Sequence, residues 1–181
     1  MPTLERRSLR VTGVVQGVGF RPFVYRLAHE LGLVGWVGND EAGVFAEVQG
    51  EPDALDSFEV RLRADAPSLA MVQAVTARTI AVDPGDNDFR IVESAHASGA
   101  RTPLPPDVAA CSACMAEVLD PADRRYRYPF ANCTECGPRL SIIRDLPYDR
   151  PATTMAGFPL CAECAAEYAD PADRRYHAQP I

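Results

Sequence analysis

Six cysteines fall between positions 111 and 164 of this 181-residue chain, grouped as three Cys-x-x-Cys pairs. Cys111, Cys114, Cys133 and Cys136 form the pattern Cys-x2-Cys-x18-Cys-x2-Cys, a spacing that suits one four-thiolate zinc site. Zinc takes four tetrahedral ligands, and each Cys-x-x-Cys turn delivers two sulfurs to one corner. The third pair, Cys161 and Cys164, opens a second copy of the unit. Asp-Pro-Ala-Asp-Arg-Arg-Tyr follows the first pair at 120–126 and the third pair at 170–176, an offset of 50. Identity over seven residues implies two copies of one structural unit. The remaining ligands of the second copy would fall at 183 and 186, past Ile181. The expectation is therefore a chain cut before a fourth pair, with His177 as a substitute ligand that still leaves the site short. Pairing of cysteines across the copies stays open. The competing reading is redox chemistry, but a redox dithiol is usually a single pair on a thioredoxin-like helix. The repeat arginines read as solvated or as balancing thiolate charge, and Tyr126, Tyr128 and Phe130 as packing around the metal turn.

A second group of residues suits a different chemistry. Residues 13–21 read GVVQGVGFR. A glycine loop between a strand and a helix can turn several main-chain N–H groups inward, and with the helix N-terminus this forms an anion cradle. Gln16, Gly17, Val18, Gly19, Phe20 and Arg21 are the candidate phosphate-binding residues. Gly17 and Gly19 permit the backbone angles, and the Arg21 guanidinium can grip two oxygens at once. The loop has no Gly-Lys-Ser/Thr and is not a dinucleotide fingerprint. By itself such a loop is as often a mere turn. Asn39, by itself, reads as a turn residue, because asparagine tolerates turn geometry.

The elements that must position these residues follow from periodicity. Leu9, Val11, Gly13 and Val15 alternate with polar or outward residues, a strand pattern. Pro22 suits the first position of a helix carrying Phe23, Val24, Leu27, Ala28 and Leu31, which Gly32 ends. Strands are predicted at Val34–Gly38 and Val44–Gly50 with a tight connection over 39–43, a helix at Pro52–Ala64, and final strands at Met71–Ile80 and Phe89–Val92. The order is that of a ferredoxin-like βαββαβ unit, with helices on one face of an antiparallel sheet. The reading is thus α+β: a compact unit over 1–93, a Pro/Gly-rich linker over 94–107, and a small zinc-stabilised cysteine-rich unit over 108–181. That last segment holds few large apolar residues, so metal would stand in for a core. His29 reads as a helix-surface residue and His96 as part of the linker.

The net charge is −7, which disfavours nonspecific nucleic-acid binding. The N-terminal residues lack an apolar signal region, and no apolar run is long enough for a membrane span. The expectation is a cytoplasmic protein, where paired cysteines hold metal more often than they form disulfides.

The stretch VQGVGFRPFVYRLAHELGLVGWVGNDEAGVFAEVQG resembles the acylphosphatase family. The resemblance implies that the loop cradles a phosphoryl group, that Arg21 binds it, and that Asn39 orients the attacking water. The stretch RYRYPFANCTECGPRLSIIRDLPYDRPATTMAGFPLCAECAAEYADPADRRYHAQP resembles the zinc region of HypF-type hydrogenase maturation proteins. In that family an acylphosphatase-like domain precedes a segment with four Cys-x-x-Cys pairs and then larger transfer domains. The resemblance implies carbamoyl phosphate as substrate, structural zinc, and transfer of the carbamoyl group to a HypE-type partner for cyanide-ligand synthesis. It implies hydrolase chemistry in this chain without completed transfer. The alternative is a non-catalytic zinc-binding scaffold on a vestigial acylphosphatase fold.

Overall fold

The computed structural model describes residues 4–95, 103 and 105–181, so His96 and much of the expected 94–107 linker lie outside the described residues. The first half runs β1 (Glu5–Val14), α1 (Phe20–Glu30), β2 (Val34–Asp40), β3 (Gly43–Gly50), α2 (Pro52–Ala64), β4 (Met71–Ile80) and β5 (Phe89–Ile91). The five strands form one sheet in the order β4-β1-β3-β2-β5. The first four pair antiparallel, as expected, but β5 pairs parallel to β2. The chain reaches that far edge by a crossing anchored on Gln49, whose side chain donates to the Asp83 carbonyl (3.1 Å) and accepts from the Asp83 amide (2.8 Å). The strand therefore arrives beside β2 in the same direction.

Both helices are amphipathic, and their apolar stripes meet in a single cluster with the sheet. Phe23, Val24 and Leu27 of α1 and Leu55, Phe58 and Leu62 of α2 pack with Leu9, Val11, Val37, Val44 and Val48. Helix α1 starts two residues earlier than Pro22 predicts. Pro22 is its third residue, tolerated because the first-turn N–H groups have no intrahelical acceptor anyway. The β2–β3 connection is shorter than 39–43. Asn39 pairs with Val44 and Asp40 with Gly43 inside the ladder, and Asp40 accepts from the Ala42 amide at 2.9 Å to close the turn. Asn39 is a strand residue.

The second half has a different core. Helices α3 (Ser112–Leu119) and α4 (Ala162–Ala169) each start at a Cys-x-x-Cys pair, with short 3-10 turns between them. The sulfurs of Cys111, Cys114, Cys133 and Cys136 all lie within 4.8 Å of one another. Three of the separations are 3.7 Å. A tetrahedron of metal–sulfur bonds of about 2.3 Å has edges of about 3.8 Å, whereas a disulfide needs about 2.05 Å. The four sulfurs thus stand as metal ligands stand. Their chemistry agrees. The hydrogen bond from Cys133 pulls the Cys136 thiol down to about 4, while burial pushes Cys114 up to about 11. So close a set cannot hold several thiolates without a cation.

The repeat arginines reach cysteine sulfurs and carboxylates, and they do so across the copies. Arg174 of the second copy donates to Cys114 Sγ at 3.2 Å, and Arg174 and Arg175 both pair with Glu117. In mirror fashion Arg124 of the first copy donates to Cys164 Sγ at 3.2 Å and pairs with Glu167 at 2.8 Å, as does Arg125. The cysteines themselves do not mix between copies: the four-sulfur cluster belongs to the first. Tyr128 and Phe130 lie beside Cys161 and Cys164 in a cavity of about 530 Å³, away from the first cluster, and Tyr126 is exposed.

Separate cores predict separable damage. Phe58, with none of its surface exposed, anchors the sheet half. Phe58→Ala should cost about 3–5 kcal/mol of stability there. Denaturant unfolding followed by Trp36, the single tryptophan and a β2 residue, measures it. Metal content should stay unchanged.

Candidate functional site

The loop between β1 and α1 is built by two left-handed glycines, Gly17 (φ 69°) and Gly19 (φ 74°), the second capping α1. Successive residues in a left-handed turn of this kind can present their main-chain amides on one side of a loop, as an anion site needs. Among the described residues, no N–H from Gly17 to Arg21 donates to a carbonyl or side chain. Gly17, Gly19, Phe20 and Arg21 line a small cavity of about 30 Å³ together with Asn39. That volume suits one or two waters or a few oxygen atoms. Of the other expected loop residues, Val18 joins the apolar core. The Gln16 side chain turns inward, donating to the Asp40 carbonyl at 2.5 Å, and so ties the loop to the hairpin that carries Asn39.

Arg21, second in α1, and Asn39, near the end of β2, reach the same cavity from different elements, and both are buried. Asn39 Oδ1 has no hydrogen-bond partner among the described residues. A buried carbonyl oxygen left so is available to a bound water or ligand. His29, by contrast, is on the exposed side of α1, 42% accessible in its side chain, and plays no part here.

The cysteine-rich half covers this loop. A Cβ placed on Gly17 would touch Pro138 at 2.9 Å and Tyr148 at 3.0 Å, and one on Gly19 would meet Thr134 at 3.1 Å. Tyr148, Tyr176, His177 and Gln179 complete the cavity wall. Arg21 finds its partners there. Its Nη2 donates to Asp149 Oδ1 at 3.0 Å and lies 3.3 Å from His177 Nδ1, while Nη1 donates to Ser94 Oγ at 3.3 Å. The Ser94 hydroxyl in turn donates to the second Asp149 oxygen. Burial pushes the Asp149 carboxyl up, yet His177, Arg21 and Ser94 around it hold it well below the ordinary carboxylate range. Burial also lowers the His177 pKa, so its imidazole is neutral near pH 7.

His177 is therefore not a substitute metal ligand. Its backbone is left-handed (φ 53°), which turns the ring onto Tyr168, stacked at 4.7 Å, and toward Arg21. Cys161 and Cys164 have no third metal-ligating group beside them among the described residues. Asp149, Ser94 and His177 were not legible as site residues. One signal did exist: 177 is the first position past the seven-residue identity where the repeats differ, with Arg127 in the first copy and His177 in the second.

Comparison with known proteins agrees with this division. The acylphosphatase family profile matches residues 7–91, and the HypF finger profile matches 110–143 and 160–181. The chain is 54% identical to carbamoyltransferase HypF2 of Cupriavidus necator over 87% of its own length and 20% of that protein's. It is 52% identical to carbamoyltransferase HypF of Rhodobacter capsulatus over 98% of itself and 23% of that protein. An acylphosphatase of Bordetella avium is 41% identical over 42% of the chain and 83% of its own length. A crystal structure of full-length HypF in the phosphate- and nucleotide-bound form superposes with a TM-score of 0.91 at 46% identity, covering all of this chain and 24% of the other. The chain spans about a fifth of the length of the curated carbamoyltransferases it matches. No helix among the described residues is long and apolar enough to cross a membrane. The chain belongs to the HypF family, and its first half to the acylphosphatase family.

Proposed function

We propose that the first half hydrolyses acyl phosphates, carbamoyl phosphate foremost, at the cavity under the glycine loop. The observation that carries this reading is the meeting of loop residues with unpaired amides, of Arg21 and of Asn39 around one small cavity. The amides of Gly17–Arg21 and the cation bind the phosphoryl oxygens and gain strength as negative charge builds on them. Asn39 Oδ1, buried and unpartnered, accepts a hydrogen bond from water and aims it at phosphorus, in line with the departing carbamate. A carboxylate-type leaving group needs no strong general acid, and none stands in the cavity wall: the one imidazole there, His177, lies against Arg21.

The likeness to carbamoyltransferases supports a place for this step in a longer reaction. It would be the first reaction of carbamoyl transfer to a HypE-type partner during nickel–iron hydrogenase maturation, with carbamate passed onward by domains outside this chain. The four-cysteine cluster would hold a structural zinc. The sulfur spacing and all-thiolate donor set support zinc, and the ion would fasten the half that roofs the active loop.

Two measurements test these readings. Phosphate release from carbamoyl phosphate should fall at least about 100-fold in Arg21→Ala and in Asn39→Ala, as expected when a transition-state donor or a water-positioning group is lost. Full activity in both variants, with Trp36 fluorescence unchanged, refutes the site. Elemental analysis of reduced protein should give about one zinc per chain, and chelation should melt α3 and α4 while sparing the sheet. Protein isolated without zinc, yet with both helices intact, refutes the metal assignment.

A further inference from the structure

Arg21 stands in a wall between two spaces. On its inner side is the small cavity with Gly17, Gly19 and Asn39. On its outer side is an open cleft of about 350 Å³ between the two halves, lined by Ser94, Pro147, Asp149, Pro151 and Tyr168. Arg21 and His177 border both spaces, whereas Asp149 and Ser94 border only the outer one. This placement decides what the Asp149 carboxylate does. A carboxylate that mimicked substrate would occupy the inner cavity. Asp149 instead holds the guanidinium from behind.

The contacts use the terminal nitrogens. Asp149 takes Nη2, Ser94 takes Nη1, and the Ser94 hydroxyl closes the ring by donating to Asp149. None of them uses Nε, so among the described residues that N–H of the planar fork is left for a ligand. A long arginine side chain loses much rotamer freedom when it grips a ligand, and a guanidinium already fixed at its far edge has less to lose. The repeat supplies a second observation. Arg127 and His177 share the same left-handed backbone, φ 60° and 53°, but Arg127 is exposed. A cation at 177 would face Arg21, and the neutral imidazole there instead lets Arg21 donate to it.

On the reading of Arg21 as the phosphoryl-binding cation, we propose that Asp149, bridged by Ser94, is a positioning residue that aims Arg21 from the cysteine-rich half. The phosphoryl site is then a composite of both halves. The four-cysteine cluster, whose Cys133 also lines the inner cavity, then bears on catalysis by holding in place the half that carries Asp149.

The test uses the full zinc-loaded chain and phosphate release from acetyl and carbamoyl phosphate. Asp149→Ala should lower kcat by about 10- to 100-fold, the scale of a misaimed catalytic contact, without raising KM. Asp149→Asn, which can still accept from Nη2, should recover part of the loss, and Ser94→Ala should fall between them and wild type. In an Arg21→Ala background Asp149→Ala should change nothing further, which a merely structural role would not produce. Melting temperature and zinc content serve as folding controls. If Asp149→Ala fails them, the Asn and Ser94→Ala variants decide. Wild-type or faster turnover in the folded variants, with Arg21→Ala inactive, overturns this assignment and leaves the hydrolase reading standing. Full activity of Arg21→Ala overturns the reading beneath it.

Discussion

A guanidinium buried to 7% exposure needs a counter-charge, and the position of that counter-charge organises this molecule. The glycine loop supplies amides but no anion. The anion comes from Asp149, far along the chain, in the half that has little apolar core of its own. Joining Arg21 to Asp149 therefore requires the cysteine-rich half to sit on the loop. The close approach of Thr134, Pro138 and Tyr148 to Gly17 and Gly19 follows from that docking. A side chain at either glycine would meet a neighbour across the interface as well as a left-handed backbone. These two positions serve the loop and the interface together.

The two halves solve the burial problem in different ways. In the first, α1 and α2 lay apolar stripes on the sheet, and area removed from water drives the packing. In the second, four sulfurs stand beside a small apolar cluster of Ile142, Tyr148 and Met155, and two short helices start at the Cys-x-x-Cys pairs. The repeat then makes the halves of the finger depend on each other. Arg174 and Arg175 reach Glu117 and Cys114, while Arg124 and Arg125 reach Glu167 and Cys164. The arginines of each copy donate to a cysteine sulfur and neutralise one carboxylate of the other. This explains why the seven-residue repeat is identical over its arginines: both copies must present the same pair of cations to the same kind of target. The divergence at 127 and 177 follows too. Beyond the shared frame, one copy faces solvent and the other faces the active loop.

Enclosure has a chemical consequence. With the cysteine-rich half in place the cavity is small and walled by Tyr148, Tyr176 and Gln179 as well as the loop. Amide and guanidinium contacts to a phosphoryl group strengthen when bulk water is kept away. The outer cleft stays open.

By itself the sequence determined the local elements and the chemical vocabulary. Alternation and helical spacing gave the sheet-and-helix order with α2 and β4 at their observed bounds, because amphipathic periodicity is a local property. Cysteine spacing gave the four-sulfur cluster, because two short turns set the ligand geometry. Family resemblance decided for Arg21, where the loop alone reads as often as a mere turn, and for Asn39, which alone reads as a turn residue. Only the tertiary structure placed β5 parallel to β2, kept Asn39 within the ladder, took His177 away from the metal and set it against Arg21, and brought Asp149 to the phosphate loop. Each of those depends on where distant segments of chain meet. No local pattern encodes such a meeting, because the energy that fixes it, a buried ion pair under a packed interface, exists only once both halves are folded and docked.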